Sequence, residues 1–408
     1  MSKELCLVID INGEVLSPTS YNKGWILLRR KKAKLISRLP FTIQLLREQK
    51  NTDNSRNILG IDTGSKHTGI AIVQECETKN KPIFKGTIEH KDDVKKKMEL
   101  RKGYRNYRRS HKRYRKSRFD NRASSKRTNR LAPSIKTKKD EIIRTVLKLS
   151  KYIKIDKIII EDVQIDIRAL TEGKNLYKWE YQKSNRLDEN LRKASLMRDN
   201  YTCVECGKIN TMLEVHHIVP KRLKGADTIN NLITLCTNCH DKTEGKEEIF
   251  IEKYQKMING KSIRFDYAQH VMQGKYYLRK ELNQICDIEL TNGGDTANKR
   301  IDWGIEKTHS NDAIVITGLK TKDCNIREYI IKPLRSKKKN KVENVLGFEH
   351  RDIIRYTKRN GETYFGYITS LDDNKKTCNF TDFKGKIFKR YGLKNCKLIQ
   401  RPKGLIFA

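Results

Sequence analysis

Acidic residues are scarce in this 408-residue chain: 49 Asp and Glu face 88 Lys and Arg, a formal net charge of +39. A surplus of that size repels itself in a compact monomer unless a polyanion neutralises it. Nucleic acid is the natural partner, because each neutralised phosphate releases condensed counterions. A membrane surface is the rival polyanion, yet the sequence lacks a basic amphipathic anchor and a lipidation motif. It also lacks any apolar run near the ~20 residues that span a bilayer. The first residues, Met1-Ser2-Lys3-Glu4-Leu5-Cys6, have neither the basic start nor the apolar stretch of a signal peptide. Internal repeats and low-complexity linkers are absent as well. Apolar residues, at 36%, are thin for one large core, so the length implies two to four compact units. Six of the ten cysteines (Cys6, Cys76, Cys286, Cys324, Cys378 and Cys396) are scattered, as expected of reduced thiols in a cytosol. The expectation is a cytoplasmic nucleic-acid protein.

What the chain does have is ordered. Leu5–Ile9, Lys34–Ile36 and Thr42–Leu46 read as strands, with Asn12-Gly13 as a hairpin turn and a basic helix over Tyr21–Lys32. Ile58–Asp62 reads as a buried strand, Thr63-Gly64-Ser65 as a turn, and Thr68–Val73 as the returning strand. The segment Arg101–Arg130 holds fourteen Lys/Arg against a single acid, Asp120, with Tyr104, Tyr107, Tyr114 and Phe119 interleaved and no proline. The pattern predicts a helix that is basic around most of its circumference. A solvated charged helix is the ordinary reading of a charge run, but a ratio of fourteen to one calls for a polyanion. Lys138–Tyr152 has helical spacing and leads into a buried strand, Lys157–Asp162, that ends in carboxylates. A polar helical connector over Tyr177–Lys193 follows, and then helices over Ile249–Met257 and Asp295–Trp303 with a strand over Ile285–Leu290. From about residue 325 onward the chain reads as a compact β-rich module, with strands at Ile326–Ile331, Thr363–Ile368, Thr377–Phe380, Lys386–Phe388 and Cys396–Ile399.

Two Cys-x-x-Cys pairs, Cys203/Cys206 and Cys236/Cys239, lie 29 residues apart. Two knuckles of this kind supply the four soft ligands of a closed, structural zinc site. A knuckle alone would be only a folding device. Here the pairs bracket His216-His217-Ile218-Val219-Pro220 after a strand (Met212–Val215), include Asn231, and end in His240. This stretch resembles the HNH endonucleases, whose ββα-metal fold uses Mg²⁺. The resemblance implies that His217 is the general base, that His216 and His240 hold the catalytic metal, and that Asn231 fixes the loop and orients His217. Relatives of the RNA-guided type often carry Asp where His216 stands. Two neutral ligands would favour Mn²⁺ or another imidazole-friendly ion.

A second signature is split around this block. Asp62 and Glu161 each close an apolar strand, and His309-Ser310-Asn311-Asp312-Ala313 precedes another apolar run. Single acids at strand ends are ordinarily solvated caps. Acids gathered on neighbouring strands can instead hold two Mg²⁺ ions ~4 Å apart for in-line phosphodiester hydrolysis. Gly-Ile-Asp-x-Gly, strand-Glu and His-x-x-Asp-Ala resemble the three motifs of the RuvC branch of the RNase H fold. That resemblance assigns metal binding to Asp62, Glu161 and Asp312, and activation or positioning of the nucleophile to His309.

The order of these parts resembles the IscB-type nucleases, transposon-encoded and akin to the CRISPR type II effector. Asn12–Pro18, Arg38–Leu45 and the run Tyr107–Arg122 carry the likeness, which covers roughly residues 5–320. Val-Leu-Ser-Pro stands where the family has Pro-Leu-Met-Pro. The implied fold is α/β plus α+β and multidomain. It would have a small α+β unit (1–55), a split RNase H-like domain (56–94, 136–182, and 251–322 with a connector) and an arginine-rich bridge helix (95–135). An inserted HNH domain with zinc knuckles (183–250) and a β-rich C-terminal module (323–408) complete it. The implied activity is metal-dependent cleavage of double-stranded DNA by one protein bound to one guide RNA (ωRNA). Mg²⁺ or Mn²⁺ would serve both centres and Zn²⁺ the knuckles, with no membrane partner. Arg105, Arg108, Arg109, Arg113, Arg115 and Arg118 would grip the RNA–DNA heteroduplex through phosphates, and the C-terminal module would read a short flanking motif. Two alternatives stay open at this stage: a protein-only HNH or RuvC-type endonuclease, and an RNA-guided binding protein without cleavage. The first would need a readout helix or a symmetric dimer, and no clear helix-turn-helix is present.

Overall fold

A computed structural model describes residues 3–49, 55–112, 114, 131–162, 187–209, 211–261, 274–321, 323–334, 344–402 and 404–408. The chain is a mixed α/β, multidomain protein. Among these residues no helix is long and apolar enough to cross a membrane.

The N-terminal unit is a four-stranded sheet in the order Val15–Ser20, Leu5–Ile9, Phe41–Leu45, Ala33–Arg38. Gly13 closes its hairpin at φ +92°, a conformation open to glycine. Ser20 caps the helix Tyr21–Arg29 by accepting from the Lys23 N–H at 3.3 Å.

At the centre lies a seven-stranded sheet in the order Ile288–Thr291, Lys157–Glu161, Asn57–Asp62, His67–Gln74, Lys81–Glu89, Glu328–Pro333, Leu405–Phe407. Asn57–Asp62, His67–Gln74 and Lys81–Glu89 form an antiparallel meander, while Lys157–Glu161 and Ile288–Thr291 run parallel to the first of them. Side chains alternate across the sheet with period two, and that alternation sorts them. Leu59, Ile61, Ile70, Ile72, Ile158 and Ile160 enter one core with Ile142, Val146 and Leu149 of the helix Pro133–Leu149. Ala71 and Val73 face the other way, onto Ala313 and Ile314 of the helix His309–Ile316. Gly60 and Gly69 share that second face. A Cβ at Gly60 would strike the Ala313 carbonyl oxygen, and one at Gly69 the His309 carbonyl oxygen. The helix therefore rests on bare backbone. Gly60→Ala should cost about 1–3 kcal/mol by overpacking, read as a lowered thermal midpoint.

Three sequence expectations are corrected here. The acid Asp312 does not sit on a strand: Thr308 accepts from the Asn311 N–H at 3.1 Å and starts a helix that carries Asp312 in its first turn. The strand near Ile326–Ile331 is Glu328–Pro333, and it belongs to the central sheet rather than to a separate tail. It pairs parallel with Lys81–Glu89, and Phe84 stacks on Tyr329 at 5.3 Å. The basic helix starts at Val94, within one residue of the expected bound at 95, and ends at Ser110, before the expected run is complete. The rest of the expected run, 113 and 115–130, lies outside the described residues, as do 177–186 of the connector.

Between the strands Lys157–Glu161 and Ile288–Thr291 the chain builds a ββα unit: antiparallel Leu213–His217 and Leu232–Cys236, then the helix Thr237–Asp241. A buried Arg198–Asp199 pair ties the helix Leu187–Arg198 to it. Arg198 donates to the Ile229 and Leu232 carbonyls at 2.7 Å, and Asp199 accepts from the Thr234 N–H at 3.1 Å. Near the C-terminus, Ile387–Gly392, Thr377–Asp382, Thr363–Asp372, Ile353–Thr357 and Cys396–Gln400 make a five-stranded antiparallel sheet in that order. Its core is Ile354, Ile368, Phe380 and Phe388.

Candidate functional site

The strand pairing brings two distant acids together. Ile61 lies opposite Ile160 in a parallel ladder, so Asp62 and Glu161 leave the sheet side by side at its carboxyl edge. Asp62 is two residues from Gly60 and therefore points to the face covered by the helix His309–Ile316. His309, the first residue of that helix, donates from Nδ1 to Asp62 Oδ2 at 2.8 Å. One turn on, Asp312 completes the group, with Arg300 Nε 3.1 Å from its Oδ1.

Electrostatics mark these acids as strained in each other's company. Burial, with the negative charges of Asp62 and Asp312, pushes the Glu161 carboxyl up to about 8. Burial and Asp62 push Asp312 up to about 6. The hydrogen bond to Asp62 raises His309 as well, which for an imidazole favours the charged form. Buried like charges of this kind are relieved by a cation, and carboxylate oxygens suit Mg²⁺ or Mn²⁺. Glu161 also abuts Gly293, where any Cβ would meet its Oε1.

In the ββα unit, alternation along Leu213–His217 turns His216 toward the helix Thr237–Asp241, where its ring meets His240 edge-to-face at 5.1 Å. Burial, then the charge of His240, depresses His216 and favours the neutral imidazole that ligates metals. The His240 Nδ1 lies 2.9 Å from Glu214 Oε2, leaving Nε2 for a metal. On the opposite face His217 donates from Nε2 to Asp227 Oδ1 at 2.9 Å. Asn231 clamps the intervening loop: Oδ1 accepts from the Val219 N–H at 2.9 Å, and Nδ2 donates to the Val219 and Ala226 carbonyls at 3.0 Å.

Among the described residues the four cysteines form the one group of three or more possible ligands whose donor atoms all lie within 4.8 Å of one another. Gly207 turns the first knuckle at φ +71°, its N–H donating to the Cys203 carbonyl at 2.9 Å. Burial and the neighbouring thiols Cys236, Cys206 and Cys203 drive Cys239 far up. The cluster is compatible with structural zinc.

Sequence reasoning thus named residues that the fold gathers into three groups. Arg105, Arg108 and Arg109 lie on the basic helix, where every side chain from Met98 to Ser110 is exposed. Arg113, Arg115 and Arg118 lie outside the described residues. Asp227, Glu214, Arg300 and His67 were missed. The ring of His67 stacks on His309 with centroids 5.8 Å apart. Of these, Glu214 left a trace, because it precedes His216 by two residues and so shares its face of the strand.

Residues 6–184 match the family described as RRXRR protein, and residues 203–246 the family described as HNH endonuclease. A 77-residue stretch is 30% identical to Anaredoxin of Nostoc sp., spanning 19% of this chain and 92% of that protein. Fifty-three residues are 42% identical to the Type IV methyl-directed restriction enzyme EcoKMcrA of Escherichia coli (strain K12), 11% of this chain and 19% of that enzyme. Solved structures of Streptococcus thermophilus Cas9 with the GGAA and AGAA PAM overlap 60% and 61% of this chain and 32% and 33% of theirs. Identity there is 14% and the TM-score 0.25, too low to carry an argument about fold. The two family matches lie in succession on one chain, and the second of them marks an HNH endonuclease domain.

Proposed function

We propose that this nuclease is an RNA-guided DNA endonuclease. A structured guide RNA (ωRNA) pairs with one strand of duplex DNA, the HNH-type centre cuts that strand, and the carboxylate centre cuts the displaced one. The observation that carries the reading is two separate side-chain groups on one chain, Asp62 with Glu161, His309 and Asp312, and His216 with His240 beside His217, together with an exposed cationic helix. That helix makes Arg101, Lys102, Arg105, Arg108 and Arg109 available to a phosphate backbone, with no ion pair to any of them among the described residues. The seven-part division proposed from the sequence goes with this reading, including an RNase H-like domain interrupted by the HNH block. The adjacent parallel strands ending in Asp62 and Glu161 support that part of it.

Asp62, Glu161 and Asp312 would hold Mg²⁺ or Mn²⁺ at one centre, and His216 and His240 would hold one ion at the other. Bound there, such an ion steadies the scissile phosphate and the charge on the leaving oxygen. His309, fixed through Nδ1 by Asp62, would use its Nε2 to position the attacking water. His217 takes the proton from water at the HNH-type centre. The four cysteines would keep zinc as a structural ion. In the C-terminal sheet, Lys397, Arg355 and Phe365 are exposed cross-strand neighbours, a surface suited to a DNA flank.

The test is to purify the protein from cells carrying its native locus and sequence the RNA that accompanies it. A single structured RNA with one variable end, and nicking of both strands of a duplex matching that end, is the expected result. Sequence-specific cutting without RNA would favour a protein-only HNH endonuclease, the reading to which the EcoKMcrA likeness lends weight.

A further inference from the structure

We propose that Asp227 is a positioning residue of the HNH-type centre: it fixes the tautomer and direction of the His217 ring, and Asn231 acts on His217 through it. This rests on the reading of His217 as the proton acceptor. A carboxylate only accepts hydrogen bonds, so the 2.9 Å contact between Asp227 Oδ1 and His217 Nε2 puts the proton of the neutral ring on Nε2. The lone pair is then on Nδ1, which is left to take a proton. Lys221 Nζ, 3.2 Å from Asp227 Oδ2, engages the second oxygen and holds the carboxylate from turning. Both members of the pair are partly open to solvent, with side-chain exposures of 30% and 37%, so the pair stands where a phosphate can reach it.

The route from Asn231 is short. Its side-chain amide ties Val219 to Ala226, and Ala226 immediately precedes Asp227. Gly225 allows the closure, since a Cβ there would strike the Val219 carbonyl. Asn231 makes no hydrogen bond from its side chain to the His217 ring among the described residues. It sets the loop, and the loop sets the carboxylate.

In the step itself the water oxygen bonds to phosphorus while its proton passes to Nδ1. The bond from phosphorus to the leaving oxygen breaks, and that oxygen takes a proton from solvent. The imidazolium then stands against the Asp227 carboxylate until it returns its proton to solvent. An amide in place of the carboxylate can turn its NH₂ toward Nε2. That reverses the tautomer, puts the proton on Nδ1 and blocks the base. Asp227→Asn should therefore harm cutting more than Asp227→Ala, which merely frees the ring. A residue that only shaped the loop would give the opposite order.

Two measurements test this. Long-range ¹H–¹⁵N correlation spectra of the full chain, with His217 assigned by His217→Gln, report the tautomer without any nucleic acid. The Nε2–H form is expected in the native protein, with a shift toward Nδ1–H in Asp227→Asn. The second measurement is single-turnover nicking of the guide-paired strand by the protein–RNA complex. Asp227→Asn should slow it about 10²-fold, with DNA half-saturation and nicking of the other strand unchanged. A native His217 in the Nδ1–H form, or Asp227→Asn cutting at the native rate while His217→Ala is inactive, overturns the proposal. Undiminished cutting by His217→Ala would instead overturn the reading of the centre on which it rests.

Discussion

Asp62→Ala is expected to abolish nicking of the displaced strand and leave the guide-paired strand cut at its native rate, and His217→Ala to do the reverse. The argument is geometric. Asp62 lies at the carboxyl edge of the central sheet, beside Glu161, and anchors His309 at 2.8 Å. Its removal takes away a proposed metal ligand and the partner that holds the imidazole. Losing several kcal/mol of transition-state stabilisation corresponds to a rate loss on the order of 10³ or more. His217 sits in another unit, on the strand Leu213–His217, and the loss of a general base costs about 10²–10⁴-fold. Strand-specific end labels on a matched duplex separate the two. Nicking of both strands by either variant would refute the assignment of the centres. Loss of both by either one would mean that they are not independent.

Much of this arrangement could be read before the fold was known, and the exceptions have physical causes. Asp62 and Glu161 announced themselves because an acid ending a run of buried β-branched residues breaks the pattern that hides the strand. The four-cysteine cluster was legible from spacing alone. The helix His309–Ile316 was not, because Ser310, Asn311 and Ala313–Ile316 are all buried, so no polar face gives a helical period. The strand Lys81–Glu89 escaped for a related reason. Lys85 interrupts its apolar pattern, yet it is buried, donating to Asn311 Oδ1 at 3.3 Å and the Cys324 carbonyl at 2.9 Å. Those partners lie more than 200 residues along the chain. Asp227 was invisible too, since its role depends on a loop folded by Asn231 rather than on any periodicity.

Removing zinc should have the other large effect. Cys203, Cys206, Cys236 and Cys239 come from a turn before the strand Leu213–His217 and from the end of Leu232–Cys236 with the helix that follows it. The cluster therefore staples the same short elements that present His216, His217 and His240. The apolar core around it is small, with Cys203, Cys236 and Cys239 themselves among its buried members beside Ile218, Ile233, Leu235, Tyr254 and Ile258. Structural zinc sites contribute roughly 10–16 kcal/mol of apparent binding free energy near neutral pH. That is comparable to the ~5–15 kcal/mol by which whole domains are stable. Cys236→Ser is expected to lower the zinc content below one ion per chain, to remove a cooperative melting transition and to end nicking of the guide-paired strand. Chelation followed by excess Mg²⁺ alone should fail to restore that nick, and Mg²⁺ with Zn²⁺ should restore it. Full recovery with Mg²⁺ alone, from protein shown to be zinc-free, would mean that the ββα unit holds its histidines in place without the metal.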